Sequence, residues 1–213
     1  MSHHAEIDTN SVARALHELG LAAWFGGALM GAVALNPASG QITDPNERLR
    51  VANIAWGRWT PVAAAAIAAH LIGAVRITTA NASRIAAQQG VGTVDASKAV
   101  VTAAALGAYA ASGLYGRKVM QLEQSSSRGR AEGAAGGQQI GDGGIGGTDV
   151  RDATTPEAGT DAELADAQRK LSLLQWAIPV LTGGLIVLSA RLGEQQRPAE
   201  VAAGILDRFL PGH

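Results

Sequence analysis

The 213-residue sequence contains no cysteine. That excludes disulfides, thiolate nucleophiles, and zinc or iron–sulfur sites built on Cys. Charge is scarce as well: Asp, Glu, Lys and Arg make up 16% of the chain, against about 25% in ordinary soluble domains. The net charge of −1 gives no overall field to attract nucleic acid, and no basic block interleaved with aromatics occurs. Nucleic acid is therefore not expected as a partner. Aromatic residues amount to only 4%. Glycine, at 27 residues, is nearly double its usual share. Mean hydropathy is +0.11 even though a long polar stretch occupies the middle of the chain, so the remaining segments are strongly apolar.

Those segments are four runs without Asp, Glu, Lys or Arg. Residues 19–42, 59–75, 99–116 and 171–190 are charge-free, and Arg58, Arg76, Lys98, Arg117, Lys170 and Arg191 stand at their borders. Their apolar parts are about 17–21 residues long, which at 1.5 Å per residue spans roughly 26–32 Å, the thickness of a bilayer core. The first run follows a polar segment with Glu6 and Asp8, unlike a cleaved secretion signal, and is expected to be a retained span. The fold class expected is all-α: an integral membrane four-helix bundle with a long disordered loop between helices three and four. The location expected is the cell membrane, multi-pass.

The connections set the domain boundaries. Residues 1–124 carry the first three spans and their loops. Asn36-Pro37 reads as a helix stop and Asp44-Pro45 as a turn, making 36–58 a polar loop. The third helix is expected to continue past Arg117 to about Gln124. Residues 125–159 hold a serine triplet and several Gly-Gly pairs with almost no large apolar side chain, too little to offset backbone entropy, so they are expected to be disordered. The cluster Gly141-Asp-Gly-Gly-Ile-Gly-Gly lacks the Lys-Ser/Thr of a phosphate loop. Residues 160–213 contain an amphipathic lead-in with Thr160 as N-cap, the fourth span, and an amphipathic helix over 198–210.

Counted over the loops, the side holding both termini carries seven Lys and Arg and the opposite side ten. The positive-inside rule then places the 117–170 loop in the cytoplasm and the termini outside. Small residues recur at four-residue spacing: Ala23, Gly27 and Gly31; Ala65, Ala69 and Gly73; Ala104, Ala108, Ser112 and Gly116. In lipid, helices associate by close backbone approach, and such stripes supply it. The alanine-rich second and third helices are expected at the centre of the bundle. Pro179 with Thr182, Gly183 and Gly184 should kink or loosen the fourth helix.

Ionisable groups inside spans are costly and therefore candidates for function. His17, Glu18 and His70 qualify. His17 and His70 fall in the same half of the membrane on sequential antiparallel helices. This allows either interhelical hydrogen bonding or a cofactor site, namely a bis-imidazole haem b or a metal centre including Glu18. No Ser–His or paired-Asp arrangement exists for an intramembrane hydrolase, and no span carries Asp, Lys or Arg for an ion relay. The protein is thus expected not to be an enzyme, and to hold no cofactor. The expected role is a membrane accessory or interaction protein whose partners are the bilayer and other membrane proteins or a second copy. The alternative is a haem- or metal-binding redox or metal-handling protein using His17 and His70.

Residues 16–27, from Leu16-His-Glu-Leu-Gly to Trp24-Phe-Gly-Gly, together with Leu174-Gln-Trp-Ala-Ile-Pro, resemble uncharacterised four-helix membrane proteins of actinobacteria. The His…Trp-x-Gly-Gly opening is also similar to the first span of copper-resistance-D-like membrane proteins, although their further ligand motifs have no counterpart here. The resemblance implies a four-span membrane fold and carries over no functional residue.

Overall fold

A computed structural model describes residues 2–80, 82, 91–135 and 151–195. Within them, regular structure is helical apart from an isolated bridge between Asp152 and Thr155. The elements are α1 (Ser2–Met30), a π-helical turn (Gly31–Leu35), α2 (Asn36–Ser39), α3 (Pro45–Ala80), α4 (Val91–Ala135) and α5 (Ala162–Gln195). Four stretches are long and apolar enough to cross a membrane: Asn10–Ser39, Glu47–Ala80, Ala96–Ser126 and Ala162–Arg191. The expected amphipathic helix over 198–210 lies outside the described residues.

The helices are longer than the charge-free runs alone suggest. Asn36-Pro37 does not stop the first helix. A proline ring clashes with the carbonyl four residues back, here that of Val33. The chain answers with a wider turn, the Asn36 N–H bonding to the Gly31 carbonyl, and helix resumes through Ser39 with Pro37 in its first turn, where proline needs no donor. The second helix likewise begins at Pro45 rather than after Arg58. The connection expected over 36–58 is reduced to residues 40–44. It is tied down by Arg48, whose guanidinium donates to the Ile42 and Thr43 carbonyls. Pro61 and Pro179 both sit inside continuous helices, and α5 runs unbroken through the Pro179–Gly184 segment.

Both ends of the stretch expected to be disordered, 125–159, carry described structure. Helix α4 continues to Ala135, and Ser125 and Ser126 turn their hydroxyls back onto the Gln121 and Leu122 carbonyls, the local bond by which a serine inside a helix satisfies its hydroxyl. Residues 151–160 form an ordered strap. The buried Asp152 carboxylate accepts from the Thr154 N–H and hydroxyl, both at 2.7 Å, and from the Thr155 hydroxyl at 3.0 Å. Residues 136–150, the glycine-rich centre, lie outside the described residues. The N-cap of α5 is Asp161 and not Thr160. The Asp161 carboxylate accepts from the Glu163 N–H at 2.9 Å, whereas the Thr160 hydroxyl accepts from the Glu157 N–H.

The chain divides into two compact units, each taking a segment from all four long helices. One comprises Met1–Gly26, Pro61–Ala105 and the chain from Val180. Its buried side chains include Leu21, Trp24, Ala63, Ala105, Leu185 and Thr182, together with His17 and His70. The other comprises Gly27–Thr60 and Leu106–Pro179. There Leu49, Val119, Leu164, Ala167 and Leu171 form a core, with Tyr115, Met120, Leu122 and Ala153 against it. The lead-in of α5 is amphipathic as expected. Leu164, Ala167 and Leu171 face inward, while Asp166 and Lys170 pair outside at 2.7 Å and Glu163 meets Lys118 at 2.8 Å.

The central placement expected for the third helix is not what forms. Only 6% of the apolar window of α4 is buried, against 22% to 28% in the other three. Large side chains such as Trp24, Leu21 and Leu185 take the interior of their unit. The alanines and glycines of α4 take little of that interior, and nothing within 4 Å would meet a Cβ at Gly107, Gly113 or Gly116.

Candidate functional site

The histidines named from the sequence come together. His17 and His70 are 4% and 1% exposed. Their rings stack with centroids 4.1 Å apart and planes inclined by 18°. His17 Nδ1 lies 3.1 Å from the His70 carbonyl oxygen, and His70 Nδ1 lies 3.0 Å from the His17 carbonyl oxygen. A carbonyl only accepts, so both Nδ1 atoms carry the proton and donate. Lys98 Nζ approaches His17 Nε2 at 3.4 Å. An ammonium only donates, which leaves the lone pair on Nε2 and makes His17 the neutral Nδ1–H tautomer. Trp24 stands edge-on to the His70 ring with centroids 6.4 Å apart. Glu18, the third candidate, is exposed.

Two glycines make this approach of helices feasible. A Cβ built on Gly73 would lie 2.6 Å from both the Ala13 carbonyl oxygen and the His17 nitrogen. One built on Gly20 would lie 2.6 Å from the His70 nitrogen and closer still to the Ala66 carbonyl oxygen. These obstacles are backbone atoms, which cannot swing aside. Gly73 stood in an expected stripe; Gly20 did not. Taken together the contacts reveal a repeat: Ala13, His17 and Gly20 on α1 recur as Ala66, His70 and Gly73 on α3. Each set follows the pattern Ala-x-x-x-His-x-x-Gly, with corresponding residues 53 positions apart. On antiparallel helices, identical sets meet reciprocally, so every contact made by one helix is returned by the other. The signal was present in the sequence as a short internal repeat, hidden by its degenerate alanine positions.

Two other glycines of the first stripe act differently. Gly27 and Gly31 form notches that receive the rings of Trp59 and Trp56, and Trp56 Nε1 donates to Asn36 Oδ1 at 3.0 Å. Asn36 is 1% exposed, so this bond satisfies its otherwise stranded oxygen.

The His17–His70 geometry does not fit axial haem ligation. A bis-imidazole haem needs the two ligating nitrogens to face each other across the macrocycle, and here the rings touch face to face with no thickness between them. The Nδ1–H bonds to carbonyls are compatible with ligation through Nε2, but the Nε2 of His17 is turned to a cation. Among the described residues no group of three or more His, Cys, Asp or Glu is placed to hold a metal ion. What the arrangement does chemically is to saturate four polar groups within an apolar crossing. Compared with protein-family models, curated proteins and solved structures, the chain matches none.

Proposed function

We propose that the chain is a multi-pass protein of the cell membrane that acts as an accessory or interaction component and not as a catalyst. The observation that carries this reading is the bare face of α4. An apolar helix with 6% of its window buried, with Val100, Ala103, Gly107, Ala110 and Leu114 exposed along one stripe and open space at the Gly107 Cβ position, offers a surface on which another membrane helix packs closely. The ionisable groups within the spans favour the same reading, because the two buried histidines use their Nδ1 donors on backbone carbonyls and present no nucleophile–base pair. In orientation, the ten Lys and Arg on one side against seven on the other favour a cytoplasmic 117–170 loop with the termini outside.

A photoreactive benzophenone side chain introduced at position 107 or 113 tests the interaction in native membranes. The expected product is a protein adduct, at twice the chain mass for a second copy and at another mass for a different membrane protein. Lipid adducts alone at both positions would refute the proposal. Protease access to a tag near residue 140 in intact cells tests the orientation, and cleavage from outside would reverse it.

A further inference from the structure

We propose that the reciprocal His17–His70 crossing is a proton-released latch between α1 and α3. The latch closes only while the rings are neutral. Each Nδ1–H is spent on the opposite helix's carbonyl, and the remaining nitrogen of His17 accepts from Lys98. A proton added at His17 Nε2 turns that acceptor into a donor and points an N–H of a cationic ring at an ammonium. It also sets a positive ring face to face with its stacked neighbour at 4.1 Å. Attraction becomes repulsion at two contacts at once.

The charged groups acting on the pair are Lys98 from α4 and Glu18 from α1 itself; α5 brings none among the described residues. Lys98 opposes a second positive charge, whereas Glu18 is exposed. Relief comes from separation, because distance weakens both repulsions. Because the added charge is repelled only while the crossing is closed, acid favours the open crossing. Gly20 and Gly73 sharpen the response. Contacts as short as theirs exist only in the closed register, so partial opening gives up the packing together with both hydrogen bonds. The inference rests on this crossing alone, so its failure would leave the partner-binding reading of α4 standing.

The absence of cysteine makes the test direct. Val12→Cys with Val75→Cys places spin labels on exposed positions of α1 and α3 beside the crossing, in the full chain reconstituted in neutral lipid. Pulsed electron spin resonance then reads the label separation between about pH 8 and about pH 5, the range in which imidazole titrates. We expect a second, longer distance in acid, its share rising by at most about tenfold per pH unit, the limit for uptake of one proton. The variant His17→Asn with His70→Asn keeps an N–H donor near each Nδ1 position but cannot titrate, and its distance should not change. Lys98→Met removes the facing cation, and the longer distance should be less populated at each acid pH. A single distance throughout the range in the labelled parent overturns the latch, as does an equal response in the double Asn variant. If the Asn variant does not fold, Lys98→Met decides, and a response equal to the parent's refutes the mechanism.

Discussion

Adding one methyl group at Gly73 should unfasten the α1–α3 crossing. In Gly73→Ala the new carbon would start 2.6 Å from the Ala13 carbonyl oxygen and from the His17 nitrogen. Ordinary contact requires roughly 3.5 Å or more. Backbone cannot rotate away, so the helices must part by several tenths of an ångström or more. Overpacking of this kind costs about 1–3 kcal/mol. The same separation stretches both histidine–carbonyl bonds, each worth about 0.6 kcal/mol between membrane helices. The total expected is about 2–4 kcal/mol, working against an intrinsic helix preference for Ala over Gly of about 1 kcal/mol. Thermal unfolding in mild detergent, followed by circular dichroism, measures the balance, with Gly107→Ala as the control because nothing lies within 4 Å of its Cβ position. Gly20→Ala should cost a similar amount, since it faces Ala66 and His70 as Gly73 faces Ala13 and His17. The double variant should cost clearly less than the sum, because helices already parted by one methyl accommodate the second. Gly73→Ala melting with the control, or strict additivity of the pair, would refute the reciprocal crossing.

Three further outcomes follow from the other unit. Asp152→Ala removes the acceptor of three hydrogen bonds in the strap and should cost about 1–3 kcal/mol, visible as faster proteolysis between residues 150 and 160; an unchanged cleavage rate contradicts it. Replacing residues 136–150 by a ten-residue Gly-Ser linker should leave the melting temperature nearly unchanged, because closure entropy varies slowly with loop length. Extending the replacement through residue 160 should lower it, and equal melting of the two replacements would mean the strap contributes nothing. Trp56→Phe keeps a ring in the Gly31 notch but removes the donor to Asn36 Oδ1. The stranded oxygen should cost about 1–3 kcal/mol, and a second change, Asn36→Leu, should recover part of it in unfolding measurements.

The spans were legible because charge is excluded from a bilayer, and that rule acts on each residue separately. Lys98, Arg117 and Lys170 mark borders for this reason. The helix ends were only partly legible, since helix persists past a border wherever tertiary packing supports it. The continuation of α4 past Arg117, which Val119 and Leu122 support, was expected to about Gln124 but runs to Ala135, and the π turn at Gly31–Leu35 carries the first helix past Pro37. The strap escaped notice because its order resides in a few polar bonds around Asp152 and in the Gln168 amide that donates to the Asp152 carbonyl at 3.1 Å. Composition registers neither. The pairing of His17 with His70 could be read only as shared depth; which atoms meet depends on Gly20 and Gly73, whose importance appears only when the backbones are seen in contact. The position of α4 was misjudged because small side chains permit close packing without stating what packs on them.

The matched Ala-x-x-x-His-x-x-Gly sets also act as a detent on sliding. Axial slippage of α1 past α3 by one helical turn, about 5.4 Å, would carry both imidazoles off their carbonyls together and drive residues with a Cβ into the two glycine positions. No intermediate register satisfies half of the bonds, because the contacts are reciprocal and offset by a single common interval. While the rings stay neutral, the facing segments of α1 and α3 therefore translate as one piece, and any shear among the helices of that unit has to be taken up by α4 or α5.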